Sequence, residues 1–518
     1  MEAKVFILLF FKMRNPNLFI KYILPGILAI SLLVVYLLSM SPGLTWANNG
    51  SDGGDLITAT ATGGIAHPTG YPFYLLAARI FQLIPIGSLA FRTNLMSAFA
   101  ATFASVIIYF IGSRLLFSLN ENPSWLAGLV SAYAFGLSPL LWSQAVITEV
   151  YTLNALFVAV ILFLMSDQGF LIFNQKNQDR VSGLAFGLAI GNHMTAILLL
   201  PILLFSSLFH AQTASDEIQS KWKWQPVQRS LLRRVGWMLS GLSVYLILPL
   251  RALSNPPVNW GNPQTLSGFA WLISGRQYQD QLFALTLASA WSRIRSVAGL
   301  LIGQFGIPGL IIGLIGVVVF YKSSHLFRNT IWIVFAFSVF AIGYETTDSY
   351  VYLIPVFMCF AIWIGLGAEG LMELAPQKSR LALGVFFILY LFLMAGTHWR
   401  QVDASQDLRA ETFGKKVLAQ SPEHAMVFAK GDKSIFTMWY FHFALHKRPD
   451  LVVVATDLLR FDWYLESLRM TYPELKLPGL FPFAEVMMAE NPERPVCFIE
   501  YLHAAQIECF PALGLQTP

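Results

Sequence analysis

"YILPGILAISLLVVYLLSM", residues 22–40, is a run of 19 residues without a charge. At about 1.5 Å per residue, a helix of this length covers the roughly 30 Å hydrocarbon core of a bilayer. The residues before it carry Lys4, Lys12, Arg14 and Lys21, and no A-x-A-like cleavage site follows. The reading is therefore a retained first span rather than a removed leader. The pattern then recurs. Apolar runs predict about eleven spans, at 22–40, 93–117, 125–141, 150–166, 181–192, 194–210, 235–250, 300–320, 329–344, 350–368 and 380–397. Of the 518 residues, 56% are hydrophobic and only 12% charged, against about 25% charged in a soluble domain.

Loop charge orients these spans. Besides the N-terminal cluster, Arg114, then Lys176 and Arg180, then Lys221, Lys223, Arg229, Arg233 and Arg234, then Lys322 and Arg328, then Lys378 and Arg380 fall in alternate loops. Basic loops stay cytoplasmic, so the net charge of +5 reports topology and not a nucleic-acid partner. With an odd span number, the N-terminus is cytoplasmic and the tail after residue 398 exoplasmic. Residues 181–210 are too short for two full crossings and read as two short helices turning at Gly191-Asn192-His193. On this topology a first exoplasmic loop (41–92), a second large one (251–299) and the tail share one side.

The expected architecture is an α-helical polytopic membrane region, 1–398, followed by a small exoplasmic α/β domain, 399–518. In the tail, "HAMVFAKGD", "DLVVVATD" and "RPVCFIEY" read as buried strands, and "KSIFTMWYFHFALHK" and "FDWYLESLRMTY" as helices between them. Three cysteines exclude a disulfide scaffold or a four-cysteine zinc site. Cys359 reads as a core residue, and Cys497 and Cys509 are close enough to pair in an oxidising compartment.

The chemistry-bearing residues cluster on the exoplasmic side. In "SDGGDLITATATGGIAHPTGYPFYLLAARI", residues 51–80, Asp52 and Asp55 sit in a glycine-rich loop ahead of His67. Two carboxylates there can act as a base, hold a divalent cation, or simply cap a helix. Glu149 opens a helix in "ITEVYTLN", beside Tyr151, and Asn192 and His193 are polar residues within the membrane. Residues 248–283 hold Arg251, Asn259, Trp260, Arg276 and Tyr278. Aromatic and amide side chains suit a sugar, and arginines suit a phosphate. Glu345 and Asp348 add acids on the same face. The absence of GxxxxGK[ST], of GxGxxG after a strand and of HExxH removes support for ATP-driven transport, dinucleotide chemistry and zinc proteolysis.

"DGGDLITATATGGIAHPTGYPFY", "TEVYTLN", "GLAIGNH", "LPLRALSNPPVNWGNPQT" with "GRQY", and "GDKSIFTMWYFHFALHKRPDLVVVATDLL" together resemble a multi-pass family long labelled a domain of unknown function. Its animal member is a protein O-mannosyltransferase. The acid-bearing first loop also resembles the wider GT-C class of membrane glycosyltransferases. The resemblance implies transfer of mannose or a similar hexose from a polyprenyl-phosphate donor to a protein Ser/Thr or glycolipid hydroxyl, with inversion. No cofactor is required, a divalent cation at Asp52 and Asp55 being the alternative. The family commonly reads D-x-G-E where this chain ends on Asp55, one methylene shorter. The implied roles are Asp55 as base with Asp52 and His67 shaping the site, and Arg251 and Arg276 on the lipid phosphate. Glu149, Tyr151, Asn192, His193, Asn259, Trp260 and Tyr278 are the expected substrate-binding side chains. A carrier or flippase for a lipid-linked or charged solute is the alternative, with His193 and the short hairpin as its site. The single sequon, "NGS" at 49–51, would place a glycan against the site, which favours a bacterial-type cytoplasmic membrane.

Overall fold

The computed structural model describes residues 19–113, 124–166, 172–213, 224–321, 324–477, 479 and 484–512. Lys4, Lys12, Arg14, Arg114, Lys221, Lys223 and Lys322, used above to orient the spans, lie outside the described residues. Seven helices are long and apolar enough to cross a membrane: Phe19–Ser39, Leu89–Ser113, Gln225–Ala252, Ala288–Val319, His325–Gly343, Ser349–Leu374 and Gln377–Val402. An eighth span is a pair, Trp125–Gly136 and Pro139–Ala145, bent by 64°. The bend has a local cause, because Pro139 forces Ser138 into extended backbone and no helix runs through it. The chain is a multi-pass membrane protein.

Among the described residues, seven or eight spans thus stand where about eleven were expected. The difference lies at 150–166, 181–192 and 194–210. Tyr151–Leu164 and Met194–Ser206 are apolar but short, and Gln175–Asn192 begins with polar turns. The expected turn is present, since the helix ends at Asn192 and His193 is extended, with φ −154° and ψ 130°. Ser349–Leu374 is the central post, buried along nearly all of its apolar length, whereas Gln377–Val402 turns Leu381, Ile388, Leu389, Phe392 and Leu393 outward.

Gln175–Asn192 lies tightly against Trp224–Leu242. At Gly183 and Gly187 any Cβ would run into the backbone of Arg234 and Met238, so only small residues permit this approach. The contact is locked by charge. The fully buried Asp179 accepts hydrogen bonds from Arg233 Nε at 2.9 Å, Arg233 Nη2 at 2.7 Å, Arg234 Nε at 2.9 Å and Ser230 Oγ at 2.7 Å. Arg233 and Arg234, read from sequence as loop cations, are therefore bound to an acid within the bundle.

The tail holds a four-stranded sheet in the order β2-β1-β3-β4, from Met426–Lys430 (β1), Val452–Ala455 (β2), Val496–Tyr501 (β3) and Ala505–Phe510 (β4). The first three strands are the expected ones and run parallel, with Asp432–Trp439 and Asp462–Thr471 as intervening helices. β4, antiparallel to β3, was not legible, because as a largely exposed edge strand it has no buried run. Cys497 and Cys509 face each other across that pair and form a disulfide. The tail also reaches the membrane region. Gly54, in the helix Gly53–Thr62, meets the backbone carbonyl of Phe436 so closely that a side chain there would collide with it.

Candidate active site

The first loop builds the site in a few steps. Gly63, at φ +69°, ends the helix Gly53–Thr62 in a left-handed cap bonded to the Ala59 carbonyl. The chain then runs beside 258–260, with Ile65 N–H donating to the Val258 carbonyl at 2.9 Å. Pro72 starts the next helix, Pro72–Gln82. This path returns His67 and Trp260 onto the first turn of the helix. Asp55, with no exposed surface, accepts from His67 Nδ1 at 2.7 Å, from the His67 backbone N–H at 2.9 Å and from Trp260 Nε1 at 3.0 Å. Neither aspartate caps the helix through its side chain: Asp52 occupies the cap position without such a bond, and Asp55 is spent on His67 and Trp260.

His67 passes the line onward. Its Nε2 lies 3.6 Å from Asp52 Oδ2 and 3.2 Å from the Tyr71 hydroxyl. The Asp52 side chain is 35% exposed, while that of Asp55 is sealed. Asp52, His67, Glu149, Tyr151, His193, Trp260 and Tyr278 line one cavity of about 960 Å³. Aromatic rings dominate part of its wall, with Tyr71, Tyr151 and Tyr352 packed around His193 at centroid distances of 5.6–6.0 Å.

Burial and crowding of like charges set the proton affinities. Burial alone would lower the His67 pKa, but Asp52 and the hydrogen bond to Asp55 outweigh it and hold the imidazole up at about 9. Asp52 is raised by burial, against the attraction of His67. Glu149 is raised well above the ordinary range, by burial first and the charge of Asp52 second. His67 is thus an imidazolium at neutral pH, wedged between two aspartates.

Of the expected site residues, six line the cavity with Asp52 and the remainder do not. Asp55 stands behind His67. Asn192 is buried and donates to the Val150 carbonyl at 3.4 Å, and Asn259 bonds Asn262 at 3.2 Å. The expected phosphate ligands are not brought to the cavity. Arg251 is turned onto the Gly64 carbonyl at 3.1 Å, and Arg276 lies exposed on the short turn Arg276–Gln281. The residues present also do not fit a divalent cation shared by Asp52 and Asp55, because three protein donors already occupy both Asp55 oxygens. No group of three His, Cys, Asp or Glu among the described residues is placed to hold a metal.

Sequence reasoning missed the tail's share of the wall. Asp432, Lys433 and Phe436 face the same cavity, with the Phe436 ring stacked 6.4 Å from that of His67. Asp432 sits exposed at the rim, yet the surrounding protein and the charge of Asp52 raise its carboxyl to about 6. Its only signal was the "GDKS" turn after a strand, which gives no hint of a partner nearly 400 residues earlier in the chain.

Residues 52–216 match the family described as Protein O-mannosyl-transferase TMEM260 N-terminal domain, and residues 410–479 match TMEM260-associated domain 2. The first matched region contains Asp52 and His67 of the cavity wall with Asp55 behind them, and the second contains Asp432 and Lys433 of the same wall. The chain resembles TMEM260 proteins over most of its length. Protein O-mannosyl-transferase tmem260 of Dictyostelium discoideum is 26% identical over 88% of this chain and 59% of its own length. Its counterpart in Mus musculus is 26% identical over 83% of this chain and 62% of its own. The chain thus spans about three fifths of the TMEM260 relatives it matches. Among solved structures, ArnT from Cupriavidus metallidurans bound to undecaprenyl phosphate superposes with a TM-score of 0.62, at 12% identity and 92% coverage of both chains. The apo form of ArnT gives 0.53. The fold is the GT-C fold.

Proposed function

We propose that this chain is a membrane glycosyltransferase that moves a hexose, mannose in the first instance, from a polyprenyl-phosphate donor to a hydroxyl of a protein Ser/Thr or a glycolipid. The observation that carries the reading is the line Asp55–His67–Asp52, sealed at one end and open to an aromatic cavity at the other. The names of the TMEM260 relatives and the lipid phosphate named with ArnT support the substrate class.

Asp52 is the base, since it alone of the two aspartates has an open face. It takes the acceptor hydroxyl proton as the oxygen bonds to the anomeric carbon. The bond from that carbon to the phosphate oxygen breaks, and its electron pair leaves with the lipid phosphate. A general base of this kind contributes about 10²–10⁴-fold in rate. One displacement inverts the anomeric carbon. Asp55 is a positioning residue that fixes the His67 ring, and the imidazolium opposes the burial that raises the Asp52 pKa and holds that side chain in place. The disulfide in the tail suits an oxidising side of the membrane, which fits an exoplasmic tail, a cytoplasmic N-terminus and a bacterial-type cytoplasmic membrane. His193, the best residue for a carrier, packs against the rings of this same cavity.

The test is transfer from polyprenyl-phosphate mannose to a Ser/Thr peptide and to a glycolipid by purified protein, with the product anomer assigned by NMR. Transfer with inversion is expected. Translocation of the lipid across proteoliposomes with no sugar transferred would replace this reading by the carrier.

A further inference from the structure

Five carboxylates line the cavity, those of Asp52, Glu149, Glu345, Asp348 and Asp432. A phosphate entering such a wall meets repulsion unless a fixed positive charge faces it. The His67 imidazolium is already flanked by Asp52 and Asp55, and among the described residues Lys433 is the one lysine or arginine that lines the cavity, neither Arg251 nor Arg276 being there. Its ammonium stands 5.8 Å from the ring centroid of Trp46 and 5.9 Å from that of Tyr501. No carboxylate forms an ion pair with Lys433 among the described residues. Two ring faces stabilise the cation and leave at least one of its three N–H donors for a ligand. Its chain neighbour Asp432 feels the charges of both Asp52 and His67, which puts this turn of the tail beside the reacting line.

From this juxtaposition we infer that Lys433 is the residue that binds the phosphate of the lipid donor. The inference rests on the glycosyltransferase reading and deepens it. The polyprenyl phosphate is the one obligatory anion of the reaction, and its charge on the bridging oxygen grows as the bond to the sugar breaks. A cation fixed there strengthens both donor binding and departure of the leaving group. The half of the site that receives charge is then supplied by the tail, and the half that removes the proton by the first loop.

Binding of sugar-free polyprenyl phosphate to the purified full chain tests this without requiring turnover. Lys433→Met keeps the stem over Trp46 and Tyr501 and removes only the charge. It should weaken the lipid phosphate about 10- to 100-fold, the usual loss for one charge-assisted contact, and raise the donor KM. Lys433→Arg should stay close to wild type, and Lys433→Gln serves as a second neutral variant should the Met form prove unstable. Inorganic phosphate should compete only at far higher concentration; equal affinity for it would make Lys433 a general anion contact and overturn the proposal. Wild-type binding and transfer with unchanged affinity in a folded neutral variant would overturn it alone. Binding that depends on Lys433 with no sugar transfer would instead sink the glycosyltransferase reading. A wild-type chain that binds no lipid phosphate would remove both.

Discussion

Asp55 and Asp52 are three residues apart, and replacing each by Asn should have opposite signatures. The Asp55 carboxylate accepts three hydrogen bonds, two on Oδ2 from His67 and one on Oδ1 from Trp260, with no exposed surface. An Asn has one acceptor oxygen. If that oxygen faces Trp260, the amide nitrogen meets the His67 backbone N–H, donor against donor. If it is flipped, the Trp260 N–H loses its acceptor. Either orientation leaves at least one buried donor unmet, costing about 1–3 kcal/mol. The imidazolium also loses its buried counter-charge, so Asp55→Asn should lower thermal stability and the His67 pKa together. Asp52 is partly exposed, and among the described residues its side chain accepts a hydrogen bond only from the neighbouring Ser51, at 3.3 Å, apart from the His67 contact. Asp52→Asn leaves no buried donor unmet but removes the charge that most raises the His67 pKa, so it should cost less stability than Asp55→Asn yet lose about 10²–10⁴-fold in transfer rate. The assays are thermal unfolding in detergent and sugar transfer, run on the same preparations. A stable, inactive Asp55→Asn beside a fully active Asp52→Asn would refute the assignment and return the base to Asp55.

The pH dependence follows from the same line. With its folded pKa raised from 6.5 to about 9, His67 contributes stability that is fully present below pH 6.5 and lost as pH rises through 9. The shift corresponds to something on the order of 3 kcal/mol, readable as a falling unfolding temperature that Asp52→Asn and Asp55→Asn should each flatten. Transfer should fail on the acid side above the ordinary aspartate range, since Asp52 is raised, and on the alkaline side near pH 9. Gly54→Ala would push a methyl group into the Phe436 carbonyl; about 1–3 kcal/mol of destabilisation is expected, together with a loosened tail detected by limited proteolysis. Removing one partner of the buried Asp179 cluster, by Asp179→Asn or Arg234→Met, should cost about 3–5 kcal/mol, with Arg233→Met milder because its side chain is 30% exposed.

What the sequence disclosed was whatever is local. Apolar runs located the long helices of the membrane region but not the short ones at Gly53–Thr62 and Leu266–Ile273, and three buried strands with their connecting helices were visible in the tail. Less legible was any arrangement that needs two distant segments. That Asp55 would be sealed depended on Trp260, which returns from 205 residues away to donate to it. Arg251 and Arg276 looked apt for a phosphate because charge type is readable, whereas placement is not: Arg251 bonds the Gly64 carbonyl and Arg276 is exposed outside the cavity lining. The helix at 151–164 read as a full span because hydropathy measures apolarity and not helix length, whereas the short helix at 194–206 matches the short hairpin expected there.

The Asp179 cluster bears on how the chain enters a bilayer at all. A helix that opens with Gln175, Lys176, Asn177, Gln178, Asp179 and Arg180 is poorly suited to partition from the insertion machinery into lipid alone. A lone charged residue costs about 2.5–3.5 kcal/mol at the centre of a membrane helix and less near an end, but this helix carries three within its first two turns. Asp179 and the arginines at 233 and 234 cancel only when the two helices have already met. Residues 175–242 should therefore leave the translocation channel as one body, the first helix waiting beside the channel until the second is synthesised. Asp179 would then act during biogenesis as a registration mark between helices, and its loss would be felt as failed integration and degradation before any effect on catalysis could be measured.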